Sequence, residues 1–81
     1  MSDDLVVIAG GGGFIGGHLV ANLLDAGYRV RSVDLKPLDE WYQVHDAAEN
    51  KILDLRLLDA CTEALAGADD VYNLAADMGG M

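Results

Sequence analysis

The 81 residues include one cysteine, one proline, one tryptophan and one phenylalanine, and five Lys and Arg stand against fourteen Asp and Glu. The lone Cys61 excludes an internal disulfide framework and any zinc site built on a cysteine cluster. A formal net charge of −9 gives a surface field that repels nucleic acid and anionic lipid. No apolar run nears the ~18 residues of a membrane span, and Met1-Ser2-Asp3-Asp4 is acidic where a secretory leader needs positive charge. The expectation is a soluble, cytoplasmic chain with neither nucleic acid nor membrane as partner. Its length allows one small domain, and its 52% apolar content argues against disorder despite the charge.

Glycine is the residue present in excess: ten in all, six of them between Gly10 and Gly17. They follow Leu5-Val6-Val7-Ile8-Ala9, a continuous β-branched run suited to a strand buried on both faces of a parallel sheet. Behind them Phe14, Ile15, Leu19, Val20, Leu23 and Leu24 recur at helical spacing, and Gly27 is placed as a left-handed stop. Arg29 to Val33 predicts a second strand ending at Asp34, which completes a βαβ unit. Beyond it, residues 37–50 read as a loop with a short helix near Glu40 to Ala47. Lys51 to Leu55 reads as a third strand, Leu57 to Ala66 as an amphipathic helix stopped by Gly67, and Val71 to Ala75 as a fourth strand. The fold class implied is α/β, an incomplete Rossmann-type doubly wound parallel sheet of four strands in the order 3-2-1-4. On this reading residues 1–81 are the N-terminal part of a dinucleotide-binding domain, with no second domain. The outer edge of the fourth strand is then unpaired, which leaves self-association into a homo-oligomer open.

Gly10, Gly13 and Gly16 fit Gly-x-x-Gly-x-x-Gly, while Gly11, Gly13 and Gly16 fit the tighter Gly-x-Gly-x-x-Gly; spacing alone does not choose. Either set permits a strand-to-helix turn, a close approach of backbone to pyrophosphate, and close packing of helix on strand at Gly16. A pyrophosphate held by helix N–H groups needs no Lys or Arg, so an acidic chain can bind one. Asp34 lies 18 residues past Gly16, near the ~20 expected of the carboxylate that accepts hydrogen bonds from the adenosine ribose. Against a 2′-phosphate at ~4 Å it would meet a repulsion on the order of 4 kcal/mol at an effective dielectric of 20, so NAD is preferred over NADP. Lys36 could soften that preference, although a solvated lysine is the simpler reading.

The stretch Ala9-Gly10-Gly11-Gly12-Gly13-Phe14-Ile15-Gly16, with Asp34 and then Asp54-Leu55-Arg56, resembles the extended short-chain dehydrogenase/reductase family, the NAD-dependent epimerases and dehydratases. The family usually has Thr at the place of Ala9 and often Ala at that of Gly12. The resemblance implies that Gly10, Gly13, Phe14, Ile15 and Gly16 hold the pyrophosphate of NAD and Asp34 its adenosine ribose. It further implies Asp54 as acceptor for the adenine amino group, Leu55 against the ring, Ala75 and Ala76 beside the cofactor ribose, and Gly79 against the substrate. Members act mostly on nucleotide-linked sugars, and the tail Val71 to Met81 is most similar to that of a member acting on a GDP-sugar.

The same resemblance implies a Tyr-x-x-x-Lys pair for hydride transfer, and the chain has none: Tyr28 leads to Ser32, Tyr42 to Asp46 and Tyr72 to Ala76. No catalytic residue is therefore assigned, and the isolated chain is expected to be inactive. A UDP-sugar 4-epimerase or sugar-nucleotide 4,6-dehydratase is the alternative enzyme, and a non-catalytic dinucleotide sensor the alternative of another class. Cys61, spaced with Leu57 and Leu65, reads as a core thiol. His18 reads as a surface or packing residue, His45 lacks partners at metal spacing, and no metal site is expected. Trp41-Tyr42 reads as aromatics packing a loop on the sheet, with cover of the adenine edge as the alternative. Asp39, Glu40, Asp46 and Glu49 read as a solvated face.

Overall fold

The β-branched run folds as β1 (Leu5–Ala9), and every one of its residues is buried. In the computed structural model, which describes residues 3–75, β1 is one of the two inner strands of the sheet. Side chains of a strand alternate between faces. Accordingly Val6 and Ile8 join Val20, Val30 and Ala48 in one cluster, while Val7 and Ala9 join Val33, Leu55 and Ala64 in the other. Helix α1 (Phe14–Asp25) covers the first face through Val20, and α2 (Leu58–Leu65) covers the second through Ala64. A strand buried on both sides is the arrangement that a continuous apolar run without alternation requires.

Strands β2 (Arg29–Asp34), β3 (Glu49–Ile52) and β4 (Asp70–Asn73) complete a four-stranded parallel sheet in the order β3-β2-β1-β4. The expected doubly wound order is therefore the observed one. Val7 stands opposite Arg31 on one side and Val71 on the other. Helix α1 ends as the position of Gly27 indicates: Gly27 has φ +92°, its N–H donates to the Leu24 carbonyl, and that of Tyr28 donates to Leu23. This is the paired hydrogen-bond closure that a left-handed glycine allows.

Several boundaries differ from the sequence reading. The third strand is Glu49–Ile52 rather than Lys51 to Leu55, because Arg31 aligns with Glu49 and Asp34 with Ile52; Leu53 to Leu55 already leave the sheet. The expected helix near Glu40 to Ala47 is replaced by one 3-10 turn at Leu38–Glu40. The fourth strand is Asp70–Asn73 rather than Val71 to Ala75, and all four of its residues are exposed. Leu57 lies outside α2 as its N-cap, and Leu57 and Leu58 are 58% and 81% exposed, so Ala64 alone anchors that helix among its buried residues. Cys61 is half-buried against the second cluster and its thiol donates to the Leu55 carbonyl. Phe14 and Ile15, counted on the core face of α1, are exposed instead.

Glu49 is exposed, as a carboxylate of a solvated face would be, but it is also ion-paired, which its spacing did not indicate. Arg31, only 11% exposed, donates Nε to Glu49 at 2.9 Å and Nη1 to the Ala64 and Ala66 carbonyls at the end of α2. One guanidinium thus ties β2, β3 and α2 together and places its charge at the negative end of the helix. The hydrogen bond from Arg31 is the main reason that the Glu49 carboxyl ionises below its ordinary 4.5, against a smaller opposing effect of burial. A depressed folded-state pKa gives stability that is complete above the unfolded value and lost as pH falls through the folded one. Urea midpoints should therefore drop as pH falls below about 4.5, and Glu49→Gln should show a smaller drop than the unaltered chain. Separately, Ile8→Ala, at a fully buried position, should cost about 2–5 kcal/mol, read from the same denaturation curves.

Candidate functional site

All four strands run parallel, so their carboxyl ends meet at one rim. That rim holds a cleft of about 340 Å³. Gly10 and Gly13 enter it after β1, Asp34 to Lys36 after β2, Leu53 to Arg56 after β3, and Leu74 and Ala75 after β4. A crevice beside the place where strand order reverses, here between β1 and β4, is where open α/β sheets take ligands.

The glycine loop is shaped from both ends. Gly10 has φ +91°, and its N–H extends the ladder to the Val33 carbonyl at 2.7 Å. A Cβ there would stand 2.9 Å from the Ala75 nitrogen, so the chain leaving β4 could not pass beside it. A Cβ on Gly16 would run into the Gly10 carbonyl, which lies against the first turn of α1. One on Gly11 would collide with the buried Ser32 hydroxyl, and one on Gly12 would fall 2.7 Å from the Trp41 ring. Packing of the chain on itself accounts for these four.

Gly13 is different. It caps α1 with φ −79° and ψ 173°, a conformation open to any residue, and the nearest atom a Cβ would meet is the Gly10 oxygen at 3.4 Å. Among the described residues no side chain requires glycine at that position, and Gly13 lines the cleft. The space fits a ligand that must touch backbone. Helix α1 has no side-chain cap at its start and no acidic residue in its first turn, so neither offsets its positive end. Of the two readings of the glycine spacing, Gly10, Gly13 and Gly16 are the turn, the open position and the helix contact.

Asp34 is fixed before any ligand arrives. One oxygen accepts the Gly12 N–H at 3.0 Å and the other the Lys36 N–H at 3.1 Å. Each carboxylate oxygen can accept a further hydrogen bond, and the group lines the cleft. Asp54 also lines it, but both its oxygens meet the Arg56 side chain at 2.9 Å, and its Oδ1 takes the Arg56 N–H as well. Those hydrogen bonds hold the Asp54 carboxyl below its ordinary range. Arg56 is a partner that spacing did not reveal, although the Asp-x-Arg sequence carried the signal. Leu55 is buried at 6% exposure and forms cleft wall and core together.

The cleft thus collects Gly10, Gly13, Asp34, Asp54, Leu55 and Ala75. Gly16 lies beneath the loop, and Phe14 and Ile15 stand exposed at the start of α1. Ala76 and Gly79 lie outside the described residues. His18 is exposed and meets Phe14 edge-on at 4.7 Å, while Phe14 meets Tyr42 at 5.7 Å. Trp41 packs on the loop, and Tyr42 is 68% exposed. Among the described residues no three His, Cys, Asp or Glu converge as a metal site, and no helix is long and apolar enough to cross a membrane.

Comparison with known proteins adds three findings. The model of the NAD dependent epimerase/dehydratase family matches residues 6–81. GDP-mannose 3,5-epimerase 1 of Oryza sativa subsp. japonica is 40% identical over 76 residues, which is 94% of this chain and 20% of that protein. Among solved structures, a UDP-galactose 4-epimerase superposes with a TM-score of 0.70 at 35% identity, over 90% of this chain and 24% of its own. A short-chain dehydrogenase/reductase superfamily protein from Agrobacterium tumefaciens, crystallised with bound NAD, gives 0.75 at 27%, over 95% of this chain and 22% of its own. The chain spans about a fifth of the length of the curated relatives it matches.

Two glycine substitutions separate folding from binding. Gly13→Ala should keep stability within about 1 kcal/mol of the unaltered chain, since the methyl meets no atom closer than 3.4 Å, yet weaken dinucleotide binding at least about tenfold. Gly16→Ala should lower thermal stability as well, because its methyl meets backbone that cannot yield. Thermal melts paired with calorimetric titration check both.

Proposed function

The chain belongs to the NAD dependent epimerase/dehydratase family, and within it we propose that these residues are the NAD-binding opening portion of an enzyme acting on a nucleotide-linked sugar, a GDP-sugar foremost. The observation that carries the cofactor is Gly13: a glycine on the cleft, at the uncapped start of α1, that the chain's own packing does not demand. In this reading the pyrophosphate lies along Gly13, Phe14 and Ile15, whose N–H groups stand at the positive end of the helix. Asp34 holds the adenosine ribose diol, and Asp54, steadied by Arg56, faces the adenine amino group. The same reading assigns Ala75 and Ala76 to the ribose nearer the nicotinamide and Gly79 to the substrate. Bound there, NAD supplies a reversible hydride acceptor for a sugar hydroxyl carbon.

The GDP-sugar is supported by the 40% identity to GDP-mannose 3,5-epimerase 1 across nearly the whole chain. The likeness to UDP-galactose 4-epimerase supports a UDP-sugar as the second reading. The base that would accept the hydroxyl proton is not among these residues, because no Tyr-x-x-x-Lys occurs in them.

Calorimetric titration should show tighter binding of NAD than of NADP, with the difference largely abolished in Asp34→Ala; equal affinities in the unaltered chain would overturn the role of Asp34. Assayed alone, the chain should turn over neither GDP- nor UDP-sugars. Activity that survives repurification and is lost on substituting a residue within these 81 would sink that expectation.

A further inference from the structure

Gly12 is held on every side. Its N–H donates to the Asp34 carboxylate at 3.0 Å, its carbonyl accepts the Tyr42 N–H at 3.0 Å, and the Trp41 ring lies where its Cβ would be. Trp41 is 7% exposed, and its indole N–H donates to the Lys36 carbonyl at 2.8 Å. Lys36 in turn donates its N–H to the second oxygen of Asp34. The contacts close on themselves: Gly12 to Asp34, Asp34 to Lys36, Lys36 to Trp41, and Trp41 back to Gly12.

We propose that Trp41 is a positioning residue for dinucleotide binding, which locks the glycine loop to the Asp34 turn and so fixes the spacing between the pyrophosphate and ribose sites before the ligand arrives. The inference rests on the NAD reading above and goes beyond it, because Trp41 does not line the cleft. Three physical points support it. Asp34 ends β2 opposite Ile52, but the segment after it is irregular apart from one 3-10 turn, so no secondary structure of their own holds Leu35 and Lys36, and with them the Asp34 carboxylate, in register with the loop. A loop of four consecutive glycines has a large conformational entropy to lose on ordering, and a flat ring over one of them removes much of that freedom in advance. The position filled by Gly12 must be glycine for the indole to reach it, which accounts for one glycine that neither spacing motif requires at that place.

The test reads the circuit with and without ligand. Trp41→Leu and Gly12→Ala approach the same contact from opposite sides, and Trp41→Phe keeps a smaller aromatic ring while losing the N–H bond to Lys36. Each of the first two should weaken NAD binding about tenfold by calorimetry, with Trp41→Phe between them and the unaltered chain. Without NAD, amide hydrogen exchange at Gly12 and Tyr42 should accelerate in both, while Val7 and Ile8 in β1 stay slow and so report an intact sheet. The methyl of Gly12→Ala has room once the indole is gone, so the double variant with Trp41→Leu should bind no more weakly than Trp41→Leu alone. Fully additive losses, or unchanged exchange at Gly12 in variants whose sheet is intact, would overturn the circuit. Absence of NAD binding in the unaltered chain would instead overturn the NAD reading, with the exchange data still judging whether Trp41 orders the loop.

Discussion

The approach of the Gly10 carbonyl to the α-carbon of Gly16 governs everything at this site. It allows α1 to start directly behind β1, with its axis pointed at the carboxyl rim of the sheet. A single Cβ at position 16 would push the helix away, and one at position 10 would displace the segment that follows β4. From this packing follow the exposed start of α1, the open place at Gly13 and the side of the cleft that Leu74 and Ala75 close just after β4. The contact is made entirely of backbone, which is why no choice of side chain can substitute for it.

Charge is handled in the same spirit. A chain of net charge −9 would be a poor anion binder if its surface field decided the matter. The site proposed would rely instead on oriented N–H groups at a helix end, whose effect falls off within about a turn and is little affected by distant carboxylates. The two carboxylates that do line the cleft are held in place by donors from the chain: Asp34 by Gly12 and Lys36, Asp54 by Arg56. Their remaining acceptor capacity suits hydroxyl and amino groups, the donors that an adenosine offers.

Much of this was legible in the sequence because backbone geometry demands particular residues. The run Leu5 to Ala9 announced a doubly buried strand, Gly27 a helix stop, and Asp34 its place at the end of β2. The reading weakened where tertiary contacts decide. Strand β3 begins two residues earlier than its apolar pattern suggested because Arg31 pairs with Glu49, an ion pair across strands that periodicity does not encode. The apolar spacing of α2 promised a broader buried face than the single Ala64, because Leu57 and Leu58 lie at its exposed start. Spacing offered two alignments of the glycines, which differ only in Gly10 or Gly11; the positive φ of Gly10, which Gly11 lacks, distinguishes them. The partnership of Gly12 with Trp41 had a signal, four glycines where three suffice, but the distance of 29 residues hid its meaning.

Binding of NAD along the glycine loop, at the carboxyl rim of this sheet, is open to test by backbone amide shifts in an NMR titration with NAD. The largest changes should fall on Gly10 to Gly16, on Asp34 to Lys36 and on Asp54 and Leu55, with little change at Tyr28, Arg29 and Ala47, which line a second cleft among other elements. Saturable changes centred on Tyr28, Arg29 and Ala47, with the glycine loop unmoved, would contradict it.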